Sequence, residues 1–126
     1  MQKLVYEYAI VRIVPLVERE EFVNSGVILY NKKHKIIGMR YRINEEKIKA
    51  LCKDADIEEM RENLEAFRRI AYGEKEGGPI ALLEPAERYR WLTAVRSATI
   101  QTSRSHPGLT LNPDAELERL FKEMVL

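Results

Sequence analysis

A single cysteine, Cys52, and only two histidines, His34 and His106, stand in this sequence. One thiol cannot close an internal disulfide, so packing alone has to hold the fold, as is usual in a reducing compartment. Cys52 falls in an apolar run with Ile48 and Leu51 and reads as a small buried hydrophobe. With no cysteine or second histidine at metal-ligand spacing, no metal and no other cofactor is expected. Net charge is missing too: 21 basic against 20 acidic side chains leave +1, so no overall field draws the chain onto nucleic acid or an anionic bilayer. No run approaches the roughly 20 apolar residues of a membrane span. The opening Met1-Gln2-Lys3 passes straight into alternating residues interrupted by Glu7 and Arg12, unlike a secretory leader. These absences point to a cytoplasmic protein. Catalytic signatures are lacking in the same way: there is no G-x-S-x-G elbow, no glycine-rich phosphate loop and no cysteine–histidine pair close in sequence.

What is present suffices for one core. The 126 residues are 45% hydrophobic and 33% charged, the size and balance of a single domain that folds without staples. Residues 4–14 are β-branched and aromatic on both alternating sets, which predicts a central strand covered on both faces and ended by Pro15. Phe22–Tyr30 predicts a second strand, with Gly26 marking a bulge or a close backbone approach. After the polar connection 31–35, Ile36–Ile43 alternates as a third, half-buried strand. Asn44 and Asp56 are helix caps followed by acids, and the helix after Asp56 runs until Gly73. Pro85 opens a helix carrying Tyr89, Leu92 and Val95; residues 97–102 suggest a short strand, Ser103–Leu111 a loop, and Asn112-Pro113-Asp114 the start of a final helix. The expectation is a single α+β domain over residues 1–126, an antiparallel β-meander sheet packed with about four helices.

Two stretches carry a resemblance. The first is Tyr8-Ala9-Ile10-Val11-Arg12 through Pro15 and on to Glu21-Phe22-Val23-Asn24-Ser25-Gly26-Val27. The second runs from Glu87-Arg88-Tyr89-Arg90-Trp91-Leu92 through Arg96-Ser97 to Ile100-Gln101, Ser103, His106 and Gly108. Together they resemble the bacterial domain-of-unknown-function family DUF3037, over nearly the whole chain. The resemblance implies a bacterial source and one domain. The family has no assigned activity, so no catalytic residue carries over. What it does imply is a partner, a HipA-like kinase encoded beside such proteins.

Three function classes compete on the residues. Arg88, Arg90 and Trp91, with Arg96, Ser97, Gln101, Ser103 and His106 of the polar segment 96–108, form a candidate partner surface, since arginine and tryptophan anchor interfaces and this segment can receive an anion. The plainer reading puts Trp91 in the core and leaves the serines to satisfy local backbone. Lys32, Lys33, Lys35, Arg40 and Arg42 lie in a stretch without an acid, as do the arginines of 88–113; if the two met, they would make a basic face for nucleic acid or a phosphate ligand. His106, before Pro107-Gly108, could act as general acid or base in a small enzyme. Arg12, alone in an apolar strand, reads as half of a structural ion pair with Glu7 or Glu21. The favoured expectation is a non-catalytic protein-binding or accessory module.

Overall fold

Leu4–Ile13 forms β1, and its alternate side chains enter cores on opposite sides of the sheet: Ala9, Val11 and Ile13 on one side, Tyr6 with Tyr8 at its margin on the other. This is a computed structural model, and it describes residues 2–126. β2 (Val23–Asn31) and β3 (Ile36–Tyr41) follow as an antiparallel meander, so that β2 lies between β3 and β1. The third strand ends two residues earlier than the alternation predicts.

Gly26 does both things a strand glycine can do. The pairing of β1 with β2 slips by one residue beside it, Val11 facing Gly26 and Arg12 facing Asn24. On its other flank a Cβ would stand 2.7 Å from the Arg40 carbonyl oxygen. Asn31, fully buried at the end of β2, donates to the Val5 carbonyl at 2.8 Å and accepts the His34 N–H at 2.9 Å, which closes the β2–β3 hairpin with a side chain.

The other edge of β1 holds a correction. Ser103–Leu111 is not a loop: after β4 (Ile100–Thr102), the segment His106–Thr110 is a strand, β5, in line with β4 and also antiparallel to β1. Between Ser103 and His106 the chain carries one residue more than β1 does, so that Arg104 and Ser105 lie opposite Ala9. Ser103 bridges the irregularity, donating its N–H to the Ile10 carbonyl and accepting the Ile10 N–H on its hydroxyl, both at 2.8 Å. The proline and glycine that suggested a loop are here strand residues with positional meaning. Gly108 lies under the Tyr6 ring, where a Cβ would come within 2.5 Å, and Pro107 occupies a position that gives β1 no N–H.

The helices form two layers. α1 (Glu45–Leu51), α2 (Ile57–Ala71) and α3 (Pro85–Leu92) cover the side of Ala9 and Val11, where Leu64, Phe67 and Leu92 are buried; α4 (Pro113–Met124) covers the other side with Leu117 and Leu120. Their starts are those the sequence marks: Asn44, Asp56 and Asn112 accept the N–H groups of Lys47, Glu59 and Ala115 at 3.0, 3.1 and 3.2 Å. Gly73, at φ +66°, turns the chain just after α2. α3 stops at Leu92, which leaves Val95 beyond the helix and fully exposed rather than on its inner stripe. Cys52, which caps the end of α1, is half-buried. Among the described residues no helix is long and apolar enough to cross a membrane.

The free edge of β3 is closed by a side chain from α2's end. The Tyr72 hydroxyl accepts the Met39 N–H and donates to the Met39 carbonyl, both at 3.0 Å, in the place of a neighbouring strand. Beside it, Glu65 accepts from Arg68 at 2.7 Å and from the Tyr41 hydroxyl at 2.7 Å, and Arg68 reaches on to Glu74 at 3.0 Å. These bonds, Arg68's first, hold the Glu65 carboxyl down to about 2 from its usual 4.5. A depressed carboxylate stabilises the fold above its unfolded value, and that contribution is lost as pH falls from about 4.5 to about 2. Glu65→Gln is therefore expected to lower the melting temperature at pH 7, with the gap to the native chain closing toward pH 2. Parallel melting curves at every pH would contradict this.

Candidate functional site

α4 lies over β2 and β3 and meets β1 at one end, where the Tyr6 hydroxyl donates to Glu116 at 2.8 Å. Burial and that carboxylate push the Tyr6 hydroxyl up to about 12, so it stays a donor at any physiological pH. No helix packs closely over β5, and the same side of the sheet beyond β1 is left half-buried.

Strand register places the side chains there. Residues directly opposite share a face, so Arg12 lies between Asn24 on β2 and Gln101 on β4, and Tyr8 lies against His106 with ring centres 5.2 Å apart. Ile10 separates the two rows. Phe22, 44% exposed, carries the Arg12 guanidinium 4.0 Å above its ring. Phe22 and Asn24 also border an open hollow of about 440 Å³ completed by Lys47, Leu51, Met124 and Val125.

Arg12 and Arg88 each have a buried Nε without an acceptor, but Arg88 donates elsewhere, to the Leu83 carbonyl, whereas the Arg12 side chain makes no hydrogen bond among the described residues. Nor does Arg12 enter an ion pair among them. The two acids that the sequence offers as partners are both elsewhere: Glu21 pairs with Arg19 at 2.8 Å, and Glu7, an odd number of residues away along β1, faces the opposite side of the sheet. Asn24 gives its Nδ2 to the Met124 carbonyl at 3.3 Å, and its Oδ1 is buried unpaired. Gln101 gives its amide to the Ala98 carbonyl at 2.9 Å. A half-buried guanidinium stacked on an aromatic ring, with no carboxylate of its own, is chemically a receptor for a carboxylate or similar anion.

The partner surface expected from sequence divides. Gln101 and His106 join this face. Trp91 and Arg96 sit on the opposite side of the sheet, with Asn63, Ala66 and Thr99 around a hollow of about 230 Å³. Trp91 is 39% exposed rather than core, and Arg96 stacks 4.5 Å over its ring while donating to the Trp91 carbonyl. Ser97 is exposed beside them, and Arg90 is exposed on α3. Ser103 is buried in the strand irregularity. Arg88 folds back over Gly73 and donates to the Leu83 carbonyl at 2.6 Å.

The basic stretches do not merge. Lys32 and Lys35 flank the start of α3 with Glu84 among them, whereas Arg90 and Arg96 lie at or beyond its other end. Arg40 pairs with Glu118 and lies over Phe121; Arg42 is exposed at the far end of that strand, and Lys33 at the hairpin tip. Among the described residues no three His, Cys, Asp or Glu side chains converge on a metal position.

Arg12, Phe22, Tyr8 and Ile10 were not legible as one site. The signal was a lone arginine in an apolar strand; what it lacked was the register that sets it beside Asn24 and Gln101. Compared with known proteins, the chain matches one family profile, described as a protein of unknown function (DUF3037), over residues 8–125. No curated protein and no solved structure matches it.

Proposed function

We propose that this chain, which belongs to the DUF3037 family, is a non-catalytic binding module whose protein partner docks on the half of the sheet that α4 leaves uncovered. The observation that carries the reading is Arg12: a half-buried cation without an acid, set between the half-buried residues Asn24 and Gln101 and next to the exposed Phe22. Beyond its stacking on Phe22, such a group contributes little to the folded chain until an anion meets it. A protein surface that offers a carboxylate to Arg12 and apolar groups to Ile10, Tyr8 and His106 satisfies both needs. The HipA-like kinase implied by the family resemblance is the partner we assign.

Other features favour this over the alternatives. A nucleic-acid face needs its cations together, and here Glu84 and Glu118 lie among them. A general acid–base role for His106 needs a polar partner, and its close neighbour is the Tyr8 ring.

The test is co-purification of the tagged chain with a co-expressed HipA-like kinase from nuclease-treated lysate at low and high salt. The complex is expected to survive both treatments, to be lost with Ile10→Glu, and to persist with Trp91→Ala, both variants keeping their native circular dichroism. Recovery of nucleic acid alone, or full binding by Ile10→Glu, would sink the proposal.

A further inference from the structure

The two edges of the sheet are treated differently. β3 is stopped by the Tyr72 hydroxyl at Met39. β5 has no such cover. Ile10 bonds toward β4 and β5, and Val5 turns its carbonyl the other way, to Asn31 beside β2. Even-numbered residues of β1 therefore face the β4–β5 side. By the same pairing His106, Gly108 and Thr110 bond inward, and Leu109 turns its N–H and carbonyl outward. Among the described residues nothing meets them.

The side chains at this edge are apolar and uncovered. Leu109 is 61% exposed, its cross-strand neighbour Val5 63%, and Leu111, next in the outward series, 52%. Single exposed leucines need no explanation, but three together along an open strand edge make a template for another strand.

We propose that β5 pairs antiparallel with β5 of a second copy, about a two-fold axis passing through Leu109. That register is self-complementary: the Leu109 N–H of each copy meets the Leu109 carbonyl of the other. Pro107 selects it, because a register centred on Pro107 would lack both central N–H donors. The contact then places Val5 and Leu109 of each copy in one apolar row. A formal charge of +1 opposes association hardly at all. Because β3 is closed, pairing stops at two copies instead of propagating.

The two-fold stands perpendicular to the sheet, so both copies present the same face on the same side. The uncovered halves then join into one trough, with Tyr8 and His106 of both chains on its floor and an α4 at each wall. The dimer itself does not depend on what binds that face.

Light scattering on the eluted protein tests it. A mass of about 29 kDa, twice the chain's 14.7 kDa, is expected at high concentration and should fall on dilution, since a contact this short is weak. Leu109→Pro removes only the outward N–H and Leu109→Lys sets two charges face to face; each is expected to run as a monomer with an unchanged melting curve. In the unaltered chain, the Leu109 amide should exchange slowly when concentrated and quickly when dilute. A monomer mass at about 100 µM, a dimer in both variants, or a Leu109 amide that exchanges freely at every concentration would overturn the proposal. Those outcomes leave kinase binding through Ile10 unaffected, so the two readings fail separately.

Discussion

Gly26→Ala is expected to lower the unfolding free energy by about 2 kcal/mol, the typical cost of forcing a methyl into a packed position. The added carbon would stand 2.7 Å from the Arg40 carbonyl oxygen and 3.1 Å from the Tyr41 Cβ. Neither can swing away as a flexible side-chain end would. Arg40 and Tyr41 are held in β3 by pairing with Val27 and Gly26, and Gly26 is itself pinned on its other side by Val11. Relief requires β3 to lift from β2, which also disturbs the Tyr41 hydroxyl bonded to Glu65. Urea titration should show a lower midpoint with an unchanged slope, the sign of altered stability without an altered unfolded state. An unmoved midpoint would mean that β3 yields freely at this point.

Arg12→Met is expected to move stability and binding in opposite directions. The free protein should be as stable as before or slightly more so, because the substitution removes a buried Nε that has no acceptor while a long side chain still lies over Phe22. Affinity for the proposed kinase partner should fall about thirtyfold or more, the order expected when one member of a desolvated charge pair is deleted. Arg12→Lys should not restore it, since an ammonium lacks the planar fork that stacks on the ring and receives a carboxylate with two bonds. Titration calorimetry and thermal melts on the same samples separate the cases. A variant that loses stability and affinity together would reduce Arg12 to a structural residue.

Local chemistry was legible in the sequence where it acts over a few residues. The caps at Asn44, Asp56 and Asn112 depend on near neighbours, and the meander and the place of Gly26 on strands consecutive in sequence; all are found. β5 was not legible, because its pattern belongs to its partner: Gly108 is a strand residue on account of Tyr6, which is distant in sequence. The site failed for a related reason. Trp91 and Arg96 are close in sequence to Gln101 and His106, yet the sheet itself separates the pairs. For Arg12, strand alternation alone sets Glu7 on the opposite face, which left Glu21 as the one sequence candidate, and Glu21 is taken by Arg19.

The extra residue between β4 and β5 also governs how this segment tolerates change. Positions 101 and 106 are five apart, and in a regular strand they would point to opposite sides. They share a face only because Arg104 and Ser105 together oppose Ala9. Deleting one of the two would leave a single residue opposite Ala9, with His106 still against Tyr8 and Gly108 still beneath Tyr6, so the bulge would close without moving β5. A serine-rich stretch of this kind would ordinarily be where lineages gain and lose residues without harm. Here too the pairs on either side of Ala9 keep their register with one residue opposite it or two, so the bulge can absorb the loss of a residue without disturbing the face that β5 presents.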